Sequence, residues 1–414
     1  MKLLLQMHYV KKNVALVVKT HQIKERQSLI CNLIMIEKNK ISIENKYDII
    51  NTIKILIYQE APEILEKVNY KDDDIFLNPL IFSYFNSKKN GFFSKEILPE
   101  ILQGYYIKKE ILKIERSFNK NNIAYIPNLG YFKKKEINPY THILIQGDFE
   151  IVKEIHPTLE KYFIEFYRGH IVNQYPKHNS VWEAHYQQVF DAINIIKEFL
   201  PDFYKELTFS NRYIYLHDNP KIINFTSIET LGMLYFYVIG TNNLIYFIEE
   251  LIHQGSHNYL NYLAHDRKEF FKIDVDNLIM RDFTKEAWDY RTIYGAFHGL
   301  FTVTQRVICF DKLVSQNVFS GREKHELLGR LTDQFYRFRT GLELLDFKEV
   351  YTKKGLNFYK ELDTKCEGIL KKYLNLKDEF DLSNRDLDFR YEDFCKLNPF
   401  QDFLKKEQKN YYQF

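Results

Sequence analysis

Apolar residues fall at helical spacing along several stretches of this 414-residue chain. Between 182 and 207, Val189, Ala192, Ile195, Ile196, Phe199 and Leu200 share a face, and Pro201 breaks the run. Three strand-like segments follow, Arg212–Leu216, Lys221–Phe225 and Leu231–Ile239, punctuated by Asn219-Pro220 and Thr226-Ser227. A helix is then predicted from Thr241 or Asn242, both good N-caps, with Leu244, Phe247, Ile248, Leu251 and Ile252 on its apolar side. Further helices are predicted over about 286–316, 321–343 and 355–374. Before residue 130 the pattern is less regular. Apolar runs such as Ile53–Tyr58 alternate with joints such as Asn86–Gly91, and 95–118 has helical spacing. Asn138-Pro139-Tyr140 precedes a short strand-like run over 141–146. The expected class is α+β: a small antiparallel sheet preceding one special helix, then a mainly helical C-terminal half. We divide the chain into an N-terminal region, 1–180, open to a peptide-docking role, and a domain over 181–414 that holds the chemistry.

Composition narrows the function classes. An apolar content of 45 %, with 34 Phe and 31 Tyr, supports a sizeable core. The 58 basic and 55 acidic residues nearly cancel, so no electrostatic argument points to nucleic acid or a membrane surface. The longest apolar stretch, near Leu231–Ile239, is cut by Gly240 and is too short to span a bilayer. Met1–His8 has no long apolar run or small-residue cleavage site, so no signal peptide is expected. Cys31, Cys309, Cys366 and Cys395 are far apart, as in a reduced, cytoplasmic protein.

The special helix carries His253 and His257, four residues apart and so one turn apart on one face, the spacing of a two-point metal grip. With 13 His in 414 residues about 0.4 such pairs arise by chance, so this spacing alone decides nothing. A strand region followed by such a helix suggests zincin-like architecture by fold-level analogy. In a zinc hydrolase the residue after the first His is Glu, the general base; here it is Gln254. Gln has no usable pKa for that task, whereas an iron oxygenase needs no such base.

Several residues compete for a third ligand position. His298, followed by Gly299, would complete a three-His site. If 290–306 is helical, Arg291, His298 and Gln305 share a stripe, and Arg291 suits the distal carboxylate of a metal-bound dicarboxylate. Glu249 and Glu250 are carboxylate alternatives, either as ligands or, with Gln254, as partners of an imidazole N–H. Asp289 is a further candidate. Two His and one carboxylate would be the usual iron pattern for oxygen chemistry.

Glu250-Leu251-Ile252-His253-Gln254-Gly255-Ser256-His257 followed by Arg291-Thr292-Ile293-Tyr294-Gly295-Ala296-Phe297-His298-Gly299 resembles the HExxH-type 2-oxoglutarate-dependent peptide β-hydroxylases. That family is associated with gene clusters for ribosomally made, post-translationally modified peptides. The resemblance spans roughly residues 222–315. It implies iron(II), 2-oxoglutarate and dioxygen as cofactors, a ribosomally synthesised precursor peptide as partner, and hydroxylation of side-chain β-carbons. It implies His253, His257 and His298 as metal ligands and Arg291 as the 2-oxoglutarate contact. Two departures stand out: Gln254 replaces the Glu of the motif, and Thr292 stands where Pro is expected. The alternatives are a zinc-binding, zincin-like metallohydrolase or its inactive relative, and a non-catalytic peptide-binding protein.

Overall fold

A computed structural model describes residues 42–88, 96–108, 116–164, 166–167, 170–171, 180–339, 342, 345–386 and 388–414. The joint at 89–91, most of the expected helix beyond 108, Cys31 and the N-terminal octapeptide lie outside the described residues. The chain divides into two compact units, 1–51 and 52–414. In the first, residues 42–51 are helical. The second holds everything discussed below, and its main sheet takes strands from both sides of position 180.

Eight strands form three sheets among the described residues: β1 (Ile123–Ile126), β2 (Gly130–Lys133), β3 (Ile145–Gln146), β4 (Phe149–Val152), β5 (Phe166–Tyr167), β6 (His170–Ile171), β7 (Tyr213–His217) and β8 (Met233–Tyr237). β1–β2 and β5–β6 are antiparallel pairs. The four-stranded sheet runs β3-β4-β7-β8, antiparallel at β3–β4 and parallel at β4–β7 and β7–β8. The expected antiparallel sheet is therefore mixed. The cause lies in the connections. β4 reaches β7 through a long connection that includes the helices Ser180–Phe199 and Pro201–Ser210, the kind of crossover that parallel strands require. The expected middle strand, Lys221–Phe225, is a loop that meets β8 only through the Phe225–Tyr235 bridge. Without a hairpin there, β7 and β8 align parallel.

Six helices build or flank the site: α1 (Ser180–Phe199), α2 (Pro201–Ser210), α3 (Leu244–Leu263), α4 (Ile293–Ser315), α5 (Gly321–Arg339) and α6 (Lys353–Lys372). Pro201 separates α1 from α2 and serves as the first residue of α2, where its missing N–H costs nothing. α3 starts at Leu244 with Asn243 as its N-cap residue; Asn242 instead accepts a hydrogen bond from Ile239 N–H at 2.7 Å. α3 is buried almost all round because it is central, packing on α1, α2, α4, α5 and β8. Among the described residues, no helix is long and apolar enough to cross a membrane. Cys309, Cys366 and Cys395 are free thiols.

Candidate functional site

The position of α3 is fixed by small and polar residues on its α2 side. A Cβ added at Gly255 would lie 2.2 Å from Leu207 Cδ1, so any larger residue here would push the Leu207 side chain aside. Three residues on, Asn258 Nδ2 donates to Asn211 Oδ1 at 2.7 Å and to the Met233 carbonyl at 3.2 Å, tying α3 to the end of α2 and the start of β8. The opposite face of α3 then meets α4.

α4 starts at Ile293, later than the sequence suggests. Thr292 is the N-cap, its Oγ1 accepting from Gly295 N–H at 2.9 Å. Thr in place of Pro thus has a structural role. One consequence is a correction. Arg291 lies before the helix and not on its stripe. Its Nε and Nη2 form a fork with Asp289 Oδ1 and Oδ2 at 2.8 and 2.7 Å, and Asp289 is buried. Asp289 is thereby the partner of Arg291, and Gln305 donates to Glu206 at 2.7 Å, away from the histidines.

The structure brings His253, His257 and His298 together. Ring centroids are 5.0 Å apart for both His253–His257 and His257–His298. The arrangement is a chain with His257 in the middle: its Nε2 lies 3.3 Å from His253 Nε2, and its Nδ1 lies 2.8 Å from His298 Nδ1. Burial holds all three imidazoles well below the usual histidine range. Arg306 and Arg337 add to that at His253, His253 and Arg306 at His257, and His257 and Arg267 at His298. Neutral rings keep lone pairs for hydrogen bonds or a metal.

The Nε2 pair of His253 and His257 can share one divalent ion at about 2.1 Å from each nitrogen, since 3.3 Å then subtends roughly 100° at the ion. The outer nitrogens of that pair are engaged. Gln254 Nε2 lies 3.3 Å from His253 Nδ1 and donates to Glu250 Oε2 at 3.2 Å, and Glu250 Oε2 itself is 3.6 Å from His253 Nδ1. His298 holds the outer nitrogen of His257. Partners of this kind fix the tautomer and ring orientation of a ligating histidine. Three donors do not converge: among the described residues, no group of three or more His, Cys, Asp or Glu is arranged to hold a metal ion. His298 Nε2 is buried without a hydrogen-bond partner.

Neither glutamate is in line as a ligand. Glu250 is buried, and burial followed by the neighbouring Glu249 charge pushes its carboxyl up to about 7. Glu249 instead accepts from Arg306 Nη1 at 3.1 Å and from Arg330 Nη1. Burial alone would raise its pKa, but the Arg330 and Arg306 cations outweigh burial and hold it below the usual carboxylate range.

A cavity of about 450 Å³ opens on His253 and His257. Neither His298, Gln254 nor Glu250 lines it. Its α4 wall is Gly295, Gly299, Thr302, Val303 and Arg306, one face of the helix. Arg291, Arg337 and Arg385 add three more guanidinium groups, against a single lining carboxylate, Asp386. These cationic residues other than Arg291 escape sequence reasoning. The available signal was the stripe Gly295-Gly299-Thr302-Arg306, in which an Arg lies on the small-residue face of an apolar helix.

No protein-family model matches the chain, and a search of the curated proteins finds no match.

Proposed function

We propose that the protein is a non-haem iron(II), 2-oxoglutarate-dependent oxygenase that hydroxylates side-chain β-carbons of a ribosomally made precursor peptide. The observation that supports this reading is the neutral, paired Nε2 atoms of His253 and His257 facing a cavity whose wall is rich in arginine. Such a cavity suits an anionic co-substrate. The two histidines would hold the ion. His298, the third ligand implied by the family resemblance, bonds His257 Nδ1 in this arrangement, and its ring would have to turn to join them. Iron(II), 2-oxoglutarate and dioxygen together would supply the oxidant that turns a peptide C–H into C–OH, with succinate and carbon dioxide as the other products.

The chain's own residues do the rest. Glu250 and Gln254 orient His253 from behind. The buried α3–α4 interface keeps water from the rear of the imidazoles, and Gly295 and Gly299 leave room along the α4 wall. Against a hydrolase stands the position of Gln254, which is buried, engaged with Glu250 and His253, and off the cavity wall, so no general base faces the cavity from that position.

The test is reconstitution with iron(II) under nitrogen, then exposure to oxygen with 2-oxoglutarate and a precursor peptide encoded beside the gene. Succinate formation and a peptide mass gain of one oxygen, both absent in His253→Ala, are expected. Stoichiometric zinc with peptide cleavage would replace this reading by the hydrolase.

A further inference from the structure

On the cavity wall, Arg306 differs from the other arginines. It is 3 % exposed, yet its Nε has no hydrogen-bond partner among the described residues. Its Nη1 reaches Glu249, but Glu249 is divided between Arg306 and Arg330. Arg330 in turn holds Glu326 through Nε and Nη2 at 3.0 and 2.7 Å. Arg291 is closed by its fork to Asp289, and Asp333 receives both Arg337 and Arg385. Burial and then the like charge of Arg337 push the Arg306 guanidinium down from its ordinary range, against the opposing pull of Glu249 and Glu250.

The register of α3 on α4 locates this group. Glu249 faces Arg306 and His257 faces His298, so the helices run antiparallel and Thr302 lies at the level of His253. Arg306 is therefore one turn of helix beyond His253, about 6 Å of rise along the axis. That is the order of length of a five-carbon diacid. Between the two levels the α4 wall is Thr302 and Val303, and Asp386 is the one carboxylate among the residues lining the cavity.

We propose that Arg306, with Arg337 beside it, is the receptor for one carboxylate of a small diacid whose other end reaches the His253–His257 pair, and that Arg291 is not part of this subsite. The inference rests on the function proposed above but makes its own demand: the anion position is built into the protein and needs no metal.

The full-length protein in chelator is titrated with glutarate, which has both carboxylates but no 2-oxo group to bind a metal, and binding is followed by calorimetry. Wild type binds. Arg306→Gln weakens binding about tenfold or more, as loss of a charge-assisted fork requires, and Arg291→Gln leaves it within about twofold. Arg306→Lys keeps a cation for Glu249 while losing the planar fork, and it weakens binding severalfold. If Arg306→Gln does not fold, Arg306→Lys decides. No glutarate binding by wild type, wild-type affinity in the Arg306 variant that decides, or loss on Arg291→Gln alone would overturn the assignment. Arg306-dependent glutarate binding without oxygen-dependent turnover would sink the proposed oxygenase and leave the anion site standing.

Discussion

Replacing Glu249 by Met tests whether the ion pairs beneath the site are coupled. Glu249 and both its partners, Arg306 and Arg330, have side chains only 3 % exposed. Removing one member of a buried pair leaves the other charge uncompensated, at a cost of about 3–5 kcal/mol. Here the loss falls mainly on Arg306, because Arg330 keeps its two bonds to Glu326. Arg306→Met is milder, about 1–3 kcal/mol, since Glu249 keeps Arg330. In the double variant the Arg330–Glu326 pair survives and no orphan remains at position 306. Its destabilisation should therefore fall below the sum of the two by about 2 kcal/mol. Urea unfolding followed by far-ultraviolet circular dichroism at pH 7.5 reads this directly. With a slope of about 3 kcal/mol/M, Glu249→Met lowers the midpoint by about 1–1.7 M, and the double variant recovers part of it. Additivity of the two single effects within about 0.5 kcal/mol would refute the coupling.

Three further expectations follow from the same geometry. Iron(II) binding measured by equilibrium dialysis should be lost in His253→Ala and in His257→Ala, and weakened about 10- to 100-fold in His298→Ala; retention in the double variant His253→Ala/His257→Ala would reject the metal site. Burial lowers His217 to about 3 and His325 to about 4, so the unfolded chain takes protons near pH 6.5 that the folded chain refuses. Stability should then be insensitive to these groups above about pH 6.5 and fall below it by about 1.4 kcal/mol per pH unit for each, and His217→Phe should flatten that slope in urea midpoints taken from pH 7.5 to 4.5. At the start of α6, a Cβ on Gly355 would lie 1.9 Å from the Phe270 carbonyl oxygen, so Gly355→Ala should cost about 3 kcal/mol and lower the melting temperature; an unchanged melting curve would contradict that packing.

Local features of the sequence are those that carried through. The α3 helix and the adjacency of His253 and His257 follow from periodicity and the repeat of the helix alone. Lys221–Phe225 has the length and the apolar residues of a strand, yet strand pairing depends on partners, and β8 found β7 instead. Spacing puts Arg291 on the His298 stripe only if the helix begins before it, but Thr292 is the N-cap and α4 starts two residues after Arg291. Arg306 was out of reach for a different reason. Its meaning comes from Glu249, 57 residues away, and from Arg330, 81 residues from Glu249. No spacing rule links positions so distant along the chain.

α3 is a central helix that carries many buried polar groups, and such groups are costly unless paired. They separate into two sides. Toward α2 and β8, Gly255 and Asn258 set the helix position through Leu207, Asn211 and Met233. Toward α4 and α5, Glu249, His253 and His257 meet Arg306, Arg330 and His298. The first side is a matter of stability alone, and the second joins stability to binding through Glu249. Asn258→Ala should accordingly lower the urea midpoint while leaving glutarate affinity intact. Glu249→Gln should lower the midpoint and tighten glutarate binding, because it removes the carboxylate that competes for the arginine facing the cavity. If Asn258→Ala changed glutarate affinity as much as Glu249→Gln does, the two sides would not be separable, and the anion site would depend on the placement of the whole helix and not on its ion pair.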